Sequence, residues 1–433
     1  MKFYSTNNKK IRKSLREAVI QGLAEDQGLY MPEYIPVLPP SFFEKITEFD
    51  FREIALRTAS LFFTDDLPSV DLEKIIQDAI NFDTPLIKIH DNVYSLELFH
   101  GPTLAFKDVG ARFMARLLGF FIRGYGREVH VLVATSGDTG SAVASGFWKV
   151  PGISVHILYP KDLVSKIQEH QFTTLNENIT ALEVRGTFDD CQRLVKTAFL
   201  DQELNSRQVL TSANSINIAR LIPQVFYYLN GYAQLERSGH DLYIAVPSGN
   251  FGNLTAGLIA WKMGLPVKKF ITATNINDIV PEYLESGQFR PRPSLPTIAN
   301  AMDVGNPSNF ARILDLYNNS HSEIKKCLSG YTYTDDDIRQ TIRNVFHKFG
   351  YILDPHGATG YQALADHIKN KENCRGFFIE TAHPAKFAEI VEGVIGWKIP
   401  VPDSLRLAME KKPVKTTISA DYEELRDYLY SLK

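Results

Sequence analysis

The sequence predicts an α/β fold in which mostly parallel sheets are flanked by helices, preceded by a helical segment. The prediction rests on a change after Pro85, where short apolar runs rich in β-branched residues begin to alternate with helical stretches. These runs are apolar throughout, which is typical of strands that are buried on both faces of a parallel sheet. Before Pro85 the apolar residues instead recur at helical spacing.

The first part of the chain, residues 1–82, is expected to form an N-terminal helical domain. One helical face carries three apolar residues before Gly28 and Pro32 end the run, and two more helical runs follow at 42–63 and 70–80. The residues of that first face are Leu15, Val19 and Leu23.

The core is expected at residues 83–400, and residues 401–433 are expected to form a helical tail. The predicted strands are 129–135, 154–159, 181–184, 242–246, 270–273 and 377–379. Because ligands of parallel sheets bind beyond the carboxyl ends of the strands, the turns after these strands are the most informative segments. A proline-rich stretch at 281–307 shows no periodicity and predicts a long loop, a candidate lid.

Lys107 follows a Gly101-Pro102 break and begins a run with apolar residues at every fourth position. Burial near the positive end of a helix disfavours the charged form of a lysine, and a partly neutral amine suits Schiff-base chemistry. The simpler alternative is a lysine that reaches water past Phe106 or pairs with Asp108.

Three strand ends run into turns rich in small or hydroxyl residues, at 136–141, 249–253 and 381–387. The glycine-rich turn at 249–253 opens a helix, so its free N–H groups and the helix dipole suit a phosphate. A tight turn without a ligand is the alternative. The sequence contains no GxxxxGK[ST], GxGxxG, GxSxG or HExxH, which removes support for nucleotide-binding, serine-hydrolase and zinc-protease classes.

Two further groups of polar residues stand at turns. The segment 211–220 combines hydroxyl, amide and guanidinium groups that suit a second anion, with a capped helix and a surface arginine as the alternative. His100, His356 and His383 also lie at turns, and for each the alternative is a histidine bonded to backbone.

Composition excludes several classes of function. With 47 basic and 50 acidic residues and a net charge of -3, the chain has no basic surplus for nucleic acid or an anionic membrane. Its three cysteines form no CxxC, so neither a metal site nor a disulfide framework is expected, and a reducing compartment is. We find no apolar run long enough for a membrane span and no targeting segment, and we expect a cytoplasmic protein.

Together, a Schiff-base lysine and a phosphate turn on one α/β scaffold indicate pyridoxal 5'-phosphate as cofactor. That cofactor requires an amine for its aldehyde, an anion site for its phosphate and a partner for its ring nitrogen. The sequence offers Lys107, Gly249–Asn253 and Thr381 for these three tasks.

The motifs also resemble those of a known family. ELFHGPTLAFKD, TSGDTG, SANSINIAR, VPSGNFGNLTAG, NAMDVGNPSN and TAHPAKF, with GLAEDQGLYMP near the N-terminus, are similar to threonine synthase over nearly the whole chain and in order. The resemblance implies the fold-type II (tryptophan synthase β-like) architecture, with two α/β lobes in residues 83–400 and the cofactor between them. It implies conversion of O-phospho-L-homoserine and water to L-threonine and phosphate, the last step of threonine biosynthesis.

The resemblance also implies roles for particular residues. Lys107 corresponds to the Schiff-base lysine and catalytic residue, and Thr381 to the hydroxyl that faces the ring nitrogen. The loop around the cofactor phosphate corresponds to Gly249, Asn250, Phe251, Gly252 and Asn253. The residues around the substrate carboxylate and phosphate correspond to Ser136, Thr139, Asn214, Ser215 and Arg220. Lys107 would move protons at the substrate's α and β carbons, while Arg220 stabilises the departing phosphate.

Asp138 departs from the pattern, because many relatives have asparagine there, which donates to the ring oxygen of the cofactor. An aspartate donates only when it is protonated, so the same interaction requires a protonated Asp138.

Two alternatives to this function stay open from sequence. One is a serine/threonine dehydratase or cysteine synthase of the same fold, which has no need of a second anion site. The other is a catalytically silent binding protein. Either a monomer or a homodimer is compatible with the sequence.

Overall fold

The N-terminal part of the molecule combines helices with a small antiparallel sheet. In this computed structural model, which describes residues 1–235 and 239–432, the sheet has the order β2-β1-β3. Its strands are β1 (Phe3–Ser5), β2 (Arg12–Lys13) and β3 (Tyr30–Pro32), and the helices are α1 (Leu15–Gln21), α2 (Pro40–Lys45), α3 (Phe51–Phe63) and α4 (Ser69–Ala79). The expectation of a purely helical segment is therefore wrong, because strands of two or three residues are too short to show an alternating pattern.

This segment packs directly on the rest of the chain. The ring centroids of Phe63 in α3 and Phe113 in the core lie 5.3 Å apart, and both side chains belong to one buried apolar cluster. A capping box starts α1, in which Ser14 accepts from the Glu17 amide and the Glu17 carboxylate accepts from the Ser14 amide.

The larger sheet has the order β12-β11-β10-β13-β5-β4, and its neighbours are parallel except β4 and β5. Its strands are β4 (Leu86–His90), β5 (Val93–Glu97), β10 (Asp241–Pro247), β11 (Lys269–Thr274), β12 (Leu328–Thr332) and β13 (Cys374–Glu380). The second sheet has the order β14-β8-β7-β6-β9 and is parallel throughout. Its strands are β6 (Val129–Ala134), β7 (Ile153–Pro160), β8 (Ile179–Arg185), β9 (Val209–Ser212) and β14 (Thr416–Ser419).

Helices cover the two sheets. They are α5 (Lys107–Phe121), α6 (Asp138–Phe147), α7 (Lys166–Thr173), α8 (Phe188–Leu200), α9 (Gln202–Arg207), α10 (Ile218–Leu221), α11 (Val225–Ala233), α12 (Gly252–Lys262), α13 (Ile279–Ser286), α14 (Phe310–Leu316), α15 (His321–Cys327), α16 (Asp335–Phe349), α17 (Pro355–Ile368), α18 (Ala388–Ile395), α19 (Asp403–Met409) and α20 (Tyr422–Tyr430). Short 3-10 helices lie at Ile46–Glu48, Ile222–Gln224, Asn300–Met302 and Pro384–Phe387. No helix in the described ranges combines the length and the apolar character needed to cross a bilayer.

The predicted α/β class is confirmed, and the six predicted strands correspond to β6, β7, β8, β10, β11 and β13. Two further expectations were wrong. The tail is not wholly helical, since β14 pairs with β8 through a strand whose only buried residue is Ile418. The expected loop at 281–307 begins inside α13, because Pro281 occupies the first turn, where proline costs no helical hydrogen bond.

Candidate active site

A single cleft at the carboxyl ends of β6, β10 and β13 is lined by every site residue that the sequence predicted. The two sheets therefore contribute to one site, as expected for parallel strands. These lining residues are Lys107, Ser136, Asp138, Thr139, Asn214, Ser215, Arg220, Gly249, Asn250, Phe251, Gly252, Asn253 and Thr381.

Lys107 is the first residue of α5, and backbone contacts fix its position against the turn after β13. Ala105 and Ala382 form an isolated antiparallel bridge, and the amide of Phe106 donates to the Thr381 carbonyl at 2.8 Å. The Tyr227 hydroxyl donates to the Phe106 carbonyl at 2.6 Å. The lysine thus has a backbone held from two sides.

The Lys107 amine lies in a largely buried environment. Its Nζ is 4.8 Å from the centroid of the Phe106 ring and 4.0 Å from an Asp138 oxygen, and the side chain is 17% exposed. Burial lowers the pKa of Lys107, and this effect outweighs the opposing charge of Asp138. Asp108 is not its partner, because that carboxylate accepts from the amide and hydroxyl of Thr103 at 2.9 and 2.6 Å.

Asp138 is held as a carboxylate. Its Oδ1 accepts from Lys386 Nζ at 2.6 Å and from Gln168 Nε2 at 2.8 Å. Burial favours the neutral acid, but Lys386 and Lys107 outweigh burial and hold the pKa of Asp138 below its ordinary value. Because a carboxylate has no proton to donate, Asp138 cannot fill the donor role that an asparagine would have at this position.

The glycine-rich turn at 249–253 offers backbone N–H groups, rather than side chains, to a ligand in the cleft. Phe251 has a left-handed backbone with φ of 61° and does not cap α12 with its side chain. The first N–H groups of a helix have no helical acceptor, and of those in α12 the Leu254 amide donates to Asn253 Oδ1 at 2.9 Å, which leaves those of Gly252 and Asn253 for a ligand. The side-chain amides of Asn250 and Asn253 instead donate within the protein, to Ser215 Oγ at 3.0 Å and the Pro247 carbonyl at 2.7 Å. The turn is therefore suited to an anion bound by amide N–H groups.

The turn after β6 is stabilised by a hydroxyl. Thr135 Oγ1 accepts from the amides of Gly137 and Gly140 at 2.9 and 2.8 Å. Gly137 has φ of 142°, and a Cβ on this residue would lie 2.6 Å from Gln168. Glycine is thus required here, and the turn leads Ser136 and Thr139 to the cleft.

Arg220 is 3% exposed, and within the described residues its Nε has no hydrogen-bond partner. One of its other nitrogens donates to the Ala213 carbonyl. Burial lowers the pKa of Arg220 to about 10, so its guanidinium is charged at neutral pH. A buried guanidinium that lines a cleft is suited to an anionic ligand.

Asn214 and Ser215 are already engaged in the structure. The Asn214 side chain bonds to both the amide and the carbonyl of Ala134, at 3.2 and 2.8 Å. The Ser215 hydroxyl accepts from Asn250 and from Asn309, at 3.0 and 2.9 Å. Asn214 therefore fixes the shape of the cleft, while Ser215 still has its hydroxyl proton to donate.

Sequence reasoning assigned no site role to several residues that line or support the cleft. Gln224, Asn300 and His356 line it, and the side-chain oxygens of Gln224 and Asn300 have no partner among the described residues. His356 Nδ1 is 2.6 Å from Asp354, and its Nε2 accepts from the Ala301 amide at 3.2 Å. The sequence signal for His356 was its place at a turn, which the structure shows to be the start of α17.

The other two candidate histidines have structural contacts. His100 Nε2 lies 2.7 Å from a Glu97 oxygen. His383 Nδ1 accepts from the Ala385 amide at 3.1 Å and so caps the 3-10 helix that carries Lys386.

The residues present fit pyridoxal phosphate. The cleft contains an amine of lowered pKa, a helix start with free N–H groups, and the Thr381 hydroxyl. These are the three groups that the aldehyde, the phosphate and the ring nitrogen require.

The fold and this cleft define a pyridoxal-phosphate-dependent enzyme of fold type II. In agreement, a family model described as pyridoxal-phosphate dependent enzyme matches residues 79–376. Models described as threonine synthase N terminus and threonine synthase, C-terminal, match residues 2–80 and 357–429.

Comparison with known proteins identifies the family within this class of enzymes. The chain is 44% identical to threonine synthase of Serratia marcescens, with 100% of both chains covered. It superposes on the crystal structure of threonine synthase from Escherichia coli with a TM-score of 0.94 and 41% identity, covering 99% of each chain. PLP-bound threonine synthase from Brucella melitensis matches with a TM-score of 0.92 and 34% identity, covering 99% of this chain and 98% of that one. The chain belongs to the threonine synthase family, which confirms the main functional prediction over the dehydratase and the silent binding protein.

Proposed function

We propose that this enzyme converts O-phospho-L-homoserine and water to L-threonine and phosphate. The observation that carries the proposal is the pairing of two anion-binding features in one cleft, the N–H groups at the start of α12 and the guanidinium of buried Arg220. A phosphorylated cofactor and a phosphorylated substrate need one each. A dehydratase acting on an unphosphorylated amino acid binds the substrate carboxylate but has no second phosphate to bind.

The cofactor is assigned to the residues that frame its three functional groups. Lys107 binds the aldehyde, the backbone of Gly249, Asn250, Phe251, Gly252 and Asn253 surrounds the phosphate, and Thr381 faces the ring nitrogen. When bound, pyridoxal phosphate supplies a conjugated ring that accepts the electrons released at the substrate's α carbon.

Lys107 is proposed as the base and acid of the reaction. Its lowered pKa favours the neutral amine, the form that accepts a proton from the α carbon and returns protons later in the cycle. The backbone of the preceding residue, Phe106, is bonded to the Thr381 carbonyl and the Tyr227 hydroxyl, which limits the positions that Lys107 Nζ reaches.

Arg220 is proposed to bind the phosphate of the substrate and to stabilise the charge on that group as it leaves. The hydroxyls of Ser136, Thr139 and Ser215 are assigned to the substrate's carboxylate and phosphate. Asn214 is assigned to the same region, where its bonds to Ala134 hold the wall of the cleft.

The substrate is tested by measuring phosphate release from O-phospho-L-homoserine by the purified holoenzyme, in parallel with keto-acid formation from L-threonine. We expect stoichiometric phosphate and threonine and no keto acid. Keto acid as the main product, without phosphate release, would contradict the proposal and favour the dehydratase.

Lys107→Ala is expected to abolish turnover and the visible absorbance of the Schiff base, since no other amine of the cleft replaces it. The loss of rate should exceed about 1000-fold, the range expected when a general base is removed. Lys398→Ala is the control, because this lysine is 91% exposed. Lys107→Ala protein that keeps both the absorbance and turnover would contradict the role of the lysine.

A cytoplasmic location and a monomeric or homodimeric state are also proposed, as is an N-terminal domain ending near residue 82. The near-neutral charge gives no reason for nucleic-acid or membrane partners. Light scattering of the purified enzyme measures the oligomeric state directly.

A further inference from the structure

Lys386 is a fully buried lysine that forms an ion pair with Asp138, a residue of the cleft. It lies on the 3-10 helix Pro384–Phe387, and its side chain is 0% exposed. Its Nζ donates to Asp138 Oδ1 at 2.6 Å and to the Thr103 carbonyl at 2.9 Å. A buried lysine is rare unless it is paired, and this one is paired with a residue of the cleft.

Asp138 separates Lys386 from Lys107. Its Oδ1 is bonded to Lys386 and Gln168, while its Oδ2 lies 4.0 Å from Lys107 Nζ. One carboxylate thus lies between two lysines, and the lysine with the shorter contact neutralises most of its charge.

We propose that Lys386 is a positioning residue of the reaction, which holds Asp138 as a carboxylate beside Lys107 and thereby sets the proton affinity of the Lys107 nitrogen. The inference rests on the proposed role of Lys107 as the Schiff-base lysine.

The Lys107 amine has different electrostatic surroundings with and without Lys386. Asp138 alone would form an ion pair with Lys107 and would favour the charged amine. With Lys386 in contact, the Asp138–Lys386 pair is neutral overall, so the Lys107 amine loses its proton at lower pH while the carboxylate remains in place. The other charged groups that act on Lys107 are Arg220 from α10, which also disfavours its charge, and Asp354 before α17, which favours it. Asp108, which is bonded to Thr103, is charged more readily because of Lys386.

The experiment measures the pH dependence of the Schiff-base absorbance of the holoenzyme. In the apoenzyme, the pH dependence of Lys107 acetylation is followed by mass spectrometry. Lys386→Met removes the positive charge and keeps much of the volume of the side chain. We expect the midpoint of both titrations to rise by about one pH unit, since a buried cation near Lys107 is lost. Lys398→Met, on an exposed lysine, is the control and should leave both midpoints unchanged.

If Lys386 were only structural, through its bond to Thr103, Lys386→Met would lower the melting temperature and leave both Lys107 titration midpoints unchanged. That result would overturn the inference.

Asp138→Asn and the double variant Asp138→Asn/Lys386→Met keep the inference testable if Lys386→Met fails to fold. Asp138→Asn leaves two lysines without an anion and should lower the Lys107 midpoint. The double variant removes both charges and should return the midpoint part of the way towards the wild-type value. A double variant with the same midpoint as Asp138→Asn contradicts the inference. If Lys107→Ala retains the Schiff base, the proposed role of Lys107 is wrong. This result distinguishes a failure of the Lys107 proposal from a failure of the Lys386 inference.

Discussion

At the scale of single residues, two buried arginines differ in how their hydrogen-bonding groups are used. Arg312 is 0% exposed, and its guanidinium donates only to oxygens of the protein, among them the carbonyls of Tyr30, Ser215 and Ile216. Arg220 is nearly as buried, but its Nε is left without a partner in the described part of the chain. The fold satisfies the hydrogen-bonding groups of Arg312, and we propose that a ligand binds the guanidinium of Arg220.

Arg220→Gln is expected to lower kcat/KM for O-phospho-L-homoserine by about 10- to 100-fold, because a charged hydrogen bond contributes about 1.5–3 kcal/mol. The Schiff-base absorbance should persist, since the cofactor phosphate is assigned to the turn at 249–253. Steady-state kinetics and the absorbance spectrum are measured together.

Arg339→Gln provides the control, because that arginine lies on α16 in an ion pair with Asp336 and is 41% exposed. Unchanged kinetics in Arg220→Gln would rule out the phosphate role of this arginine.

The residues of the site were predictable from sequence where they stand in turns after strands. Ser136, Gly252 and Thr381 belong to this group, since a parallel sheet brings such turns to one edge. Gln224, Asn300 and Lys386 were not assigned, because their part in the site depends on contacts between distant segments. The Lys386–Asp138 contact, for example, joins two different strand ends.

At the scale of elements, the start of α12 depends on a close approach of two backbones. A Cβ on Gly249 would lie 2.5 Å from the Ala301 carbonyl oxygen and 2.9 Å from the Met302 Cα. Both neighbours are backbone atoms of the 3-10 helix Asn300–Met302, so neither can rotate away. The glycine therefore sets the distance between the phosphate turn and the opposite wall of the cleft.

Gly249→Ala is expected to displace this wall, to weaken cofactor binding at least 10-fold and to cost about 1–3 kcal/mol of stability, the range for overpacked sites. Cofactor titration of the apoenzyme and urea unfolding measure the two effects.

Gly393→Ala is the matched control, because a Cβ at that position in α18 meets nothing within 4 Å. This control should be neutral or slightly stabilising, by up to about 1 kcal/mol, as for alanine in place of glycine in a helix. Equal effects of the two substitutions would contradict the account of Gly249.

Long, buried strands could be predicted from the sequence, whereas strands of two to four residues could not. β6 and β10 are apolar through nearly their whole length and were found from that pattern alone. β14 and the strands β1–β3 have two to four residues, so their pairing is determined by tertiary contacts that no local pattern records.

At the scale of the whole molecule, the N-terminal segment is tied to the cleft through Arg312. This side chain bonds to Tyr30 at the N-terminal sheet, to Ser215 at the cleft and to Asn309 before α14. Burial lowers the pKa of Arg312 to about 9, so its guanidinium remains charged at neutral pH.

Arg312→Met is expected to destabilise the protein by about 3–5 kcal/mol, because several buried oxygens lose their donor at once. Urea unfolding measures the loss, with Arg339→Met as the exposed control. A loss below about 1 kcal/mol would show that the segment is held without this arginine.

The central claim is that Lys107 carries the cofactor in a cleft shared by the two sheets. Borohydride reduction of the holoenzyme, followed by peptide mapping, tests it most directly. The predicted result is one pyridoxyl-modified peptide, with the modification on Lys107. Modification of Lys386 or another lysine instead, or no modification of a yellow holoenzyme, would contradict the account.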